Sequence, residues 1–99
     1  MATIQESHEF SGKSVDDCFQ AACRAYPKAN FTVWKQRPLG WLVMARRELN
    51  GVTVESNIAA RPGIKSVLTI GVDCPTLQDA DLRPLADELL AAIKKELGV

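Results

Sequence analysis

The chain carries no glycine-rich phosphate loop, no cysteine pair at metal-ligand spacing, no HExxH and no nucleophile elbow. Those absences exclude the common local signatures of nucleotide, zinc and serine-hydrolase chemistry. There is a single histidine, His8, and no partner residue beside it in sequence that would make it a general base. It reads instead as a partly exposed imidazole, or one hydrogen-bonded to a neighbour. No apolar run approaches the length of a membrane span, and Met1-Ala2-Thr3 leads directly into strand-like sequence, so neither a spanning segment nor a signal peptide is expected. Three cysteines, an odd number without metal spacing, point to a reducing, cytoplasmic setting. Aromatic residues are few, six in 99, and the net charge is zero. Both facts count against nucleic-acid binding.

What is present is sheet sequence. Gly40 to Val72 reads as three antiparallel strands, and Asn50-Gly51 is the strongest hairpin signal in the chain. Both central residues of such a two-residue turn need positive φ, which Asn and Gly tolerate. The turn sets Leu49 opposite Val52, Arg47 opposite Val54, Ala45 opposite Ser56, Val43 opposite Ile58 and Trp41 opposite Ala60, all on one face. Glu48/Thr53, Arg46/Glu55, Met44/Asn57 and Leu42/Ala59 then fall on the other. The first set is a core lining with one charge near its end; the second is a solvent face with an opposite-charge pair. Beyond Ala60, matching apolar residues places Val54 opposite Ile70, Val52 opposite Val72 and Ser56 opposite Leu68. That register requires a three-residue loop with Gly63 at positive φ.

The remaining elements follow from periodicity. Thr3 to Phe10 alternates, with Ile4, Glu6, His8 and Phe10 on one side, and its polar character suits a sheet edge. Ser14 caps a helix whose arc is Val15, Cys18, Phe19, Ala22 and Tyr26, ended by Pro27. Cys18 and Cys23 read as small core residues. Phe31 to Arg37 is a further strand; its facing depends on loop length, and burying Phe31 and Val33 sets Trp34 outward. Leu82, Leu85, Ala86, Leu89, Ile93 and Leu97 form the stripe of a second helix. Pro84 in its first turn would start it near Asp81, with residues 76–80 a separate turn or a kinked extension. Asp73-Cys74-Pro75-Thr76 is the one stretch to weigh as a thiol site. With no second cysteine near and no N–H on Pro75, Cys74 reads as a small residue of ordinary reactivity.

The fold class expected is α+β, one β-α-β(4)-α domain over residues 1–99. Its five-stranded antiparallel sheet would have the order 1-5-4-3-2, with both helices on one face. This element order resembles that of the TATA-box-binding protein repeat across nearly the whole chain. The resemblance implies a curved sheet with helices behind and the opposite face free for binding. A double-stranded RNA-binding domain is the weaker likeness, because the last helix begins Asp79-Ala80-Asp81 where such domains carry lysines.

Charge is unevenly spread: Phe31 to Val72 holds six basic and two acidic residues, the remainder six and ten. Either the basic sheet attracts acidic helices or a positive face meets an anionic partner. On the outer face Trp34, Leu42, Met44, Ala59 and Val67 form an apolar patch rimmed by Arg46, Arg61 and Lys65. The expected function is a non-catalytic protein-interaction or homodimerisation module using that face. The alternative is a small-molecule protein that binds an apolar or anionic ligand on the sheet or between sheet and helices. Nucleic-acid binding, with Trp34 or Trp41 as a stacking platform, ranks third. No catalytic, cofactor or metal-ligating residue is assigned.

Overall fold

The Asn50-Gly51 turn forms as expected, with φ of 52° and 83°, and joins β3 (Leu42–Leu49) to β4 (Val52–Arg61). Every expected strand pair from Leu42/Ala59 to Leu49/Val52 is present, and Ala60 N donates to Trp41 O at 2.9 Å. Nothing lies within 4 Å of where a Cβ on Gly51 would stand, so only the backbone restricts that position. Gly51→Val should lower stability by about 1 kcal/mol through the forced left-handed backbone. An unchanged midpoint of urea unfolding would count against the turn type.

The structure, a computed structural model, describes residues 2–99. Around the hairpin stand β1 (Ala2–Phe10), α1 (Val15–Lys28), β2 (Thr32–Arg37), β5 (Ser66–Cys74) and α2 (Asp79–Leu97), with a short 3-10 turn at Pro38–Gly40. The fold is α+β: a five-stranded antiparallel sheet of order β1-β5-β4-β3-β2, with both helices packed on the face that carries Val43, Val54, Ile58, Leu68, Ile70 and Val72. No helix among the described residues is long and apolar enough to cross a membrane.

Several local details differ from expectation. In the β4–β5 pair Ile70 lies opposite Ile58 rather than Val54, and Val72 opposite Ser56 rather than Val52. The slip is four residues, an even number, so every apolar side chain keeps its face. The loop is residues 62–65, and Gly63 is not at positive φ. In β2, Val33 pairs with Ala45 and Lys35 with Met44, leaving Trp34 as the extra residue of a bulge. Phe31 is buried and Trp34 outward, as expected. Finally α2 begins at Asp79, not near Asp81: Gln78 N donates to Asp81 Oδ2 at 3.0 Å, and Pro84 is accommodated within the helix.

Helix α1 opens on its expected cap, Asp17 N donating to Ser14 Oγ at 3.0 Å, but continues through Pro27 to Lys28. It is tied to α2 by Glu96, which accepts from Arg24 Nε at 2.8 Å and pairs with Lys28. Lys28, then Arg24, hold the Glu96 carboxyl below its ordinary range.

Candidate functional site

The outer sheet face holds the patch expected from sequence, in altered form. Trp34 is 47% exposed, and the Arg46 guanidinium carbon stacks 4.4 Å from its ring centre. Arg46 Nε also donates to Glu55 at 2.8 Å. Leu42, Met44, Ala59 and Val67 are only half-buried beside them. Lys65 is not part of this group, since it lies in the β4–β5 loop with Nζ 3.9 Å from Glu9 of β1. The indole's exposed face is thus partly covered by the protein's own cation.

The opposite face is where polar groups converge under a helix. Along β1, Glu6 and His8 alternate with solvent-facing residues and point inward between Ile4 and Phe10. Arg83 of α2 donates from Nη2 to Glu6 Oε2 at 2.7 Å, and its Nε lies 3.7 Å from Asp87 Oδ1. The other Glu6 oxygen, Oε1, stands 3.1 Å from His8 Nε2. Both atoms are shut from solvent, and each is the other's near neighbour. Burial by itself would raise the Glu6 carboxyl, but Arg83 and then His8 outweigh it and hold the group below its ordinary value. The next inward residue, Phe10, borders a surface hollow of about 330 Å³ lined also by Glu9, Ser11, Lys94 and Val99. An anionic carboxylate, an imidazole and a guanidinium therefore lie along one seam, and the hollow beside Lys94, which none of the three lines, follows next along β1.

Deeper in, the space between sheet and helices is filled. Tyr26, Phe19, Leu68, Leu82, Leu89 and Ile93 are all fully buried. One polar chain crosses this core: Ser56 Oγ donates to Gly71 O at 2.8 Å and lies 2.9 Å from Tyr26 Oη. Arg47, the charge expected near the end of the core lining, reaches Ala29 O at 3.2 Å and Glu88 at 3.4 Å. Cys18 is buried and Cys23 half-buried, and burial raises both thiols. Cys74 departs from the ordinary thiol expected. Thr76 Oγ1 at 3.5 Å and the backbone N–H groups that follow draw its thiol down, but at 1% exposure it is shielded from reagents.

No protein-family model matches the sequence, and no curated protein matches it. Solved structures do match in fold. DynU16, from the dynemicin biosynthetic locus, superposes with a TM-score of 0.72 at 12% identity, covering 98% of this chain and 47% of its own. The di-domain ARO/CYC protein BexL from the BE-7585A biosynthetic pathway gives 0.70 at 10% identity, with coverage of 99% and 47%. Ara h 8.0201 gives 0.67 at 11% identity, covering 99% of both chains. This is the helix-grip fold. The chain spans about half the length of DynU16 and BexL.

The helix-grip likeness corrects the TATA-box-binding resemblance. Element order and sheet order say which strands pair, but not how a long final helix lies across them. The interaction and homodimer reading, which rested on an open outer face, falls with it. The gripped face carries one signal legible in the sequence: two polar residues, Glu6 and His8, on the same side of an alternating strand as Ile4 and Phe10. Their partner Arg83 is 77 residues from Glu6, beyond the reach of any local pattern.

Proposed function

We propose that the chain is a small-molecule binding protein. Its ligand, mainly apolar with one anionic or hydrogen-bonding group, is held between sheet and α2 at the β1 seam. The observation that carries this reading is the inward polar cluster of β1, in which Glu6 Oε1 and His8 Nε2 lie 3.1 Å apart and shut from solvent while Arg83 holds the other Glu6 oxygen. Charged and polar side chains turned toward the apolar face of a sheet forfeit hydration, and such clusters often mark binding sites. A ligand's polar group would meet this cluster at the seam. The hollow at Phe10 offers an apolar wall and the Lys94 ammonium beside it, in keeping with pockets that are largely apolar with a few placed polar groups. The helix-grip likeness supports the same face. Three unbridged thiols support a reducing, cytoplasmic setting for the ligand.

The test uses 8-anilinonaphthalene-1-sulfonate, an aromatic anion, titrated into the native protein and followed by amide and imidazole chemical shifts. Saturable shifts at His8, Phe10 and Lys94 are expected. Lys94→Glu or His8→Leu should weaken binding about tenfold, the worth of one charge-assisted hydrogen bond. Shifts confined to Trp34 and Met44, or no saturable binding, would overturn the reading.

A further inference from the structure

Among the large apolar side chains, two stand out at hairpin tips: Leu39 is 99% exposed and Ile64 107%. Single exposed apolar residues are ordinary. These two, however, occupy neighbouring tips at one end of the sheet. Leu39 sits in the Pro38–Gly40 turn between β2 and β3, and Ile64 in the 62–65 loop between β4 and β5. The pairing of Leu42 with Ala59 brings both loops to the same edge. Two strand spacings, about 10 Å, separate them.

Local geometry orients each tip. Pro38 fixes one φ, and Trp41 closes the turn in the left-handed region at φ 48°, its N–H donating to Pro38 O at 3.2 Å. A bulky residue adopts that conformation only when its surroundings impose it. The second loop begins at Pro62 and is tied at its far end, where Ser66 Oγ donates to Lys13 O at 2.6 Å. Beside Leu39 lies a surface hollow of about 460 Å³ lined by Arg37, Pro38, Leu39 and Gly40.

Behind the tips stand cations. Arg37 ends β2 and Arg61 ends β4, both exposed and neither with a carboxylate partner among the described residues. Lys65 adjoins Ile64, and the acid facing it is Glu9, at 3.9 Å. The order outward from the sheet is therefore cation, then apolar tip. A bilayer surface has the matching order, phosphate and then acyl chain. We infer that this end of the molecule docks on an anionic membrane surface, Leu39 and Ile64 entering the acyl boundary while Arg37, Arg61 and Lys65 meet the headgroups. The contact is peripheral and needs no spanning helix. Its tips and cations are not residues of the ligand seam, although Glu9, which faces Lys65, also borders the hollow at Phe10.

The experiment is co-sedimentation with phosphatidylcholine vesicles, with and without about one-fifth phosphatidylserine. Binding to the anionic vesicles alone is expected, weakening as salt is raised. Leu39→Asp and Ile64→Asp should each reduce partitioning about tenfold, with no change in melting temperature because both side chains are already in water. Arg37→Ala and Arg61→Ala should each reduce it several-fold and flatten the salt dependence. No binding above the neutral vesicles, or equal binding by the two aspartate variants, would overturn the inference. So would binding to polyglutamate without binding to vesicles, which would assign the patch to an acidic protein. None of these variants should alter 8-anilinonaphthalene-1-sulfonate affinity, so the two proposals can fail separately.

Discussion

Tyr26→Ala should cost about 3–5 kcal/mol of stability, the range for removing a large aromatic from a closed core. The side chain is fully buried, and its ring tilts 56° against Phe31 with centroids 5.5 Å apart. Because Ser56 Oγ donates to Gly71 O, its proton is committed, and Tyr26 Oη must be the donor across the 2.9 Å to Ser56. Burial pushes the phenol well above its ordinary value, so that proton stays in place throughout the usable pH range. Tyr26→Phe removes only this one bond and leaves Ser56 with its own acceptor. It should therefore cost about 0.5–1.5 kcal/mol. Domains of this size are stable by about 5–15 kcal/mol, so the alanine variant approaches the threshold while the phenylalanine variant does not. Urea unfolding of the three proteins decides the matter. Equal losses for Ala and Phe would mean that the interior collapses freely around position 26.

The hairpin was legible because one turn chemistry, Asn-Gly, and one alternation agree, and together they specify a register to the residue. The β4–β5 pair shows where that reasoning stops. Its turn residues carried a weaker signal than Asn-Gly, and alternation alone is blind to an even slip: Ile70 faces the core whether it meets Val54 or Ile58. A bulge is invisible for a related reason, since Trp34 and Lys35 read as ordinary successive residues until the partner strand shows one of them to be extra. Pro84, as a first-turn residue, points to a start near Asp81, but α2 starts at Asp79, where Asp81 accepts from Gln78 N. The candidate site was half legible. Strand alternation put Glu6 and His8 on the inward side with Ile4 and Phe10, which no solvated edge strand requires. What it could not supply was α2, whose Arg83 turns two inward polar residues into a cluster.

That cluster sets the second large effect, which arises from reversing one charge. Arg83→Glu should lower the melting temperature at neutral pH by several degrees, about 5 °C, because Arg83 is 46% exposed and solvent screens the pair. In the native protein Arg83 and His8 hold the Glu6 carboxyl below its ordinary value despite partial burial. A group shifted in that direction adds stability above the carboxylate range of the unfolded chain, and the addition is lost as pH falls through the folded value. With Glu at position 83 the favourable hydrogen bond is replaced by a second carboxylate, while the burial remains. Both influences then raise Glu6, and the sign inverts: its charge opposes folding at neutral pH, and the penalty is relieved as acid protonates it. The gap between the two proteins should therefore be widest near neutrality and close below about pH 4. Glu96, also held below its ordinary range, titrates alike in both and cancels from the difference. Adding Glu6→Gln to the variant should remove most of the pH dependence of that gap. A gap that stays constant with pH would show that Arg83 acts through the packing of its aliphatic stem. The polar seam would then lose its electrostatic basis.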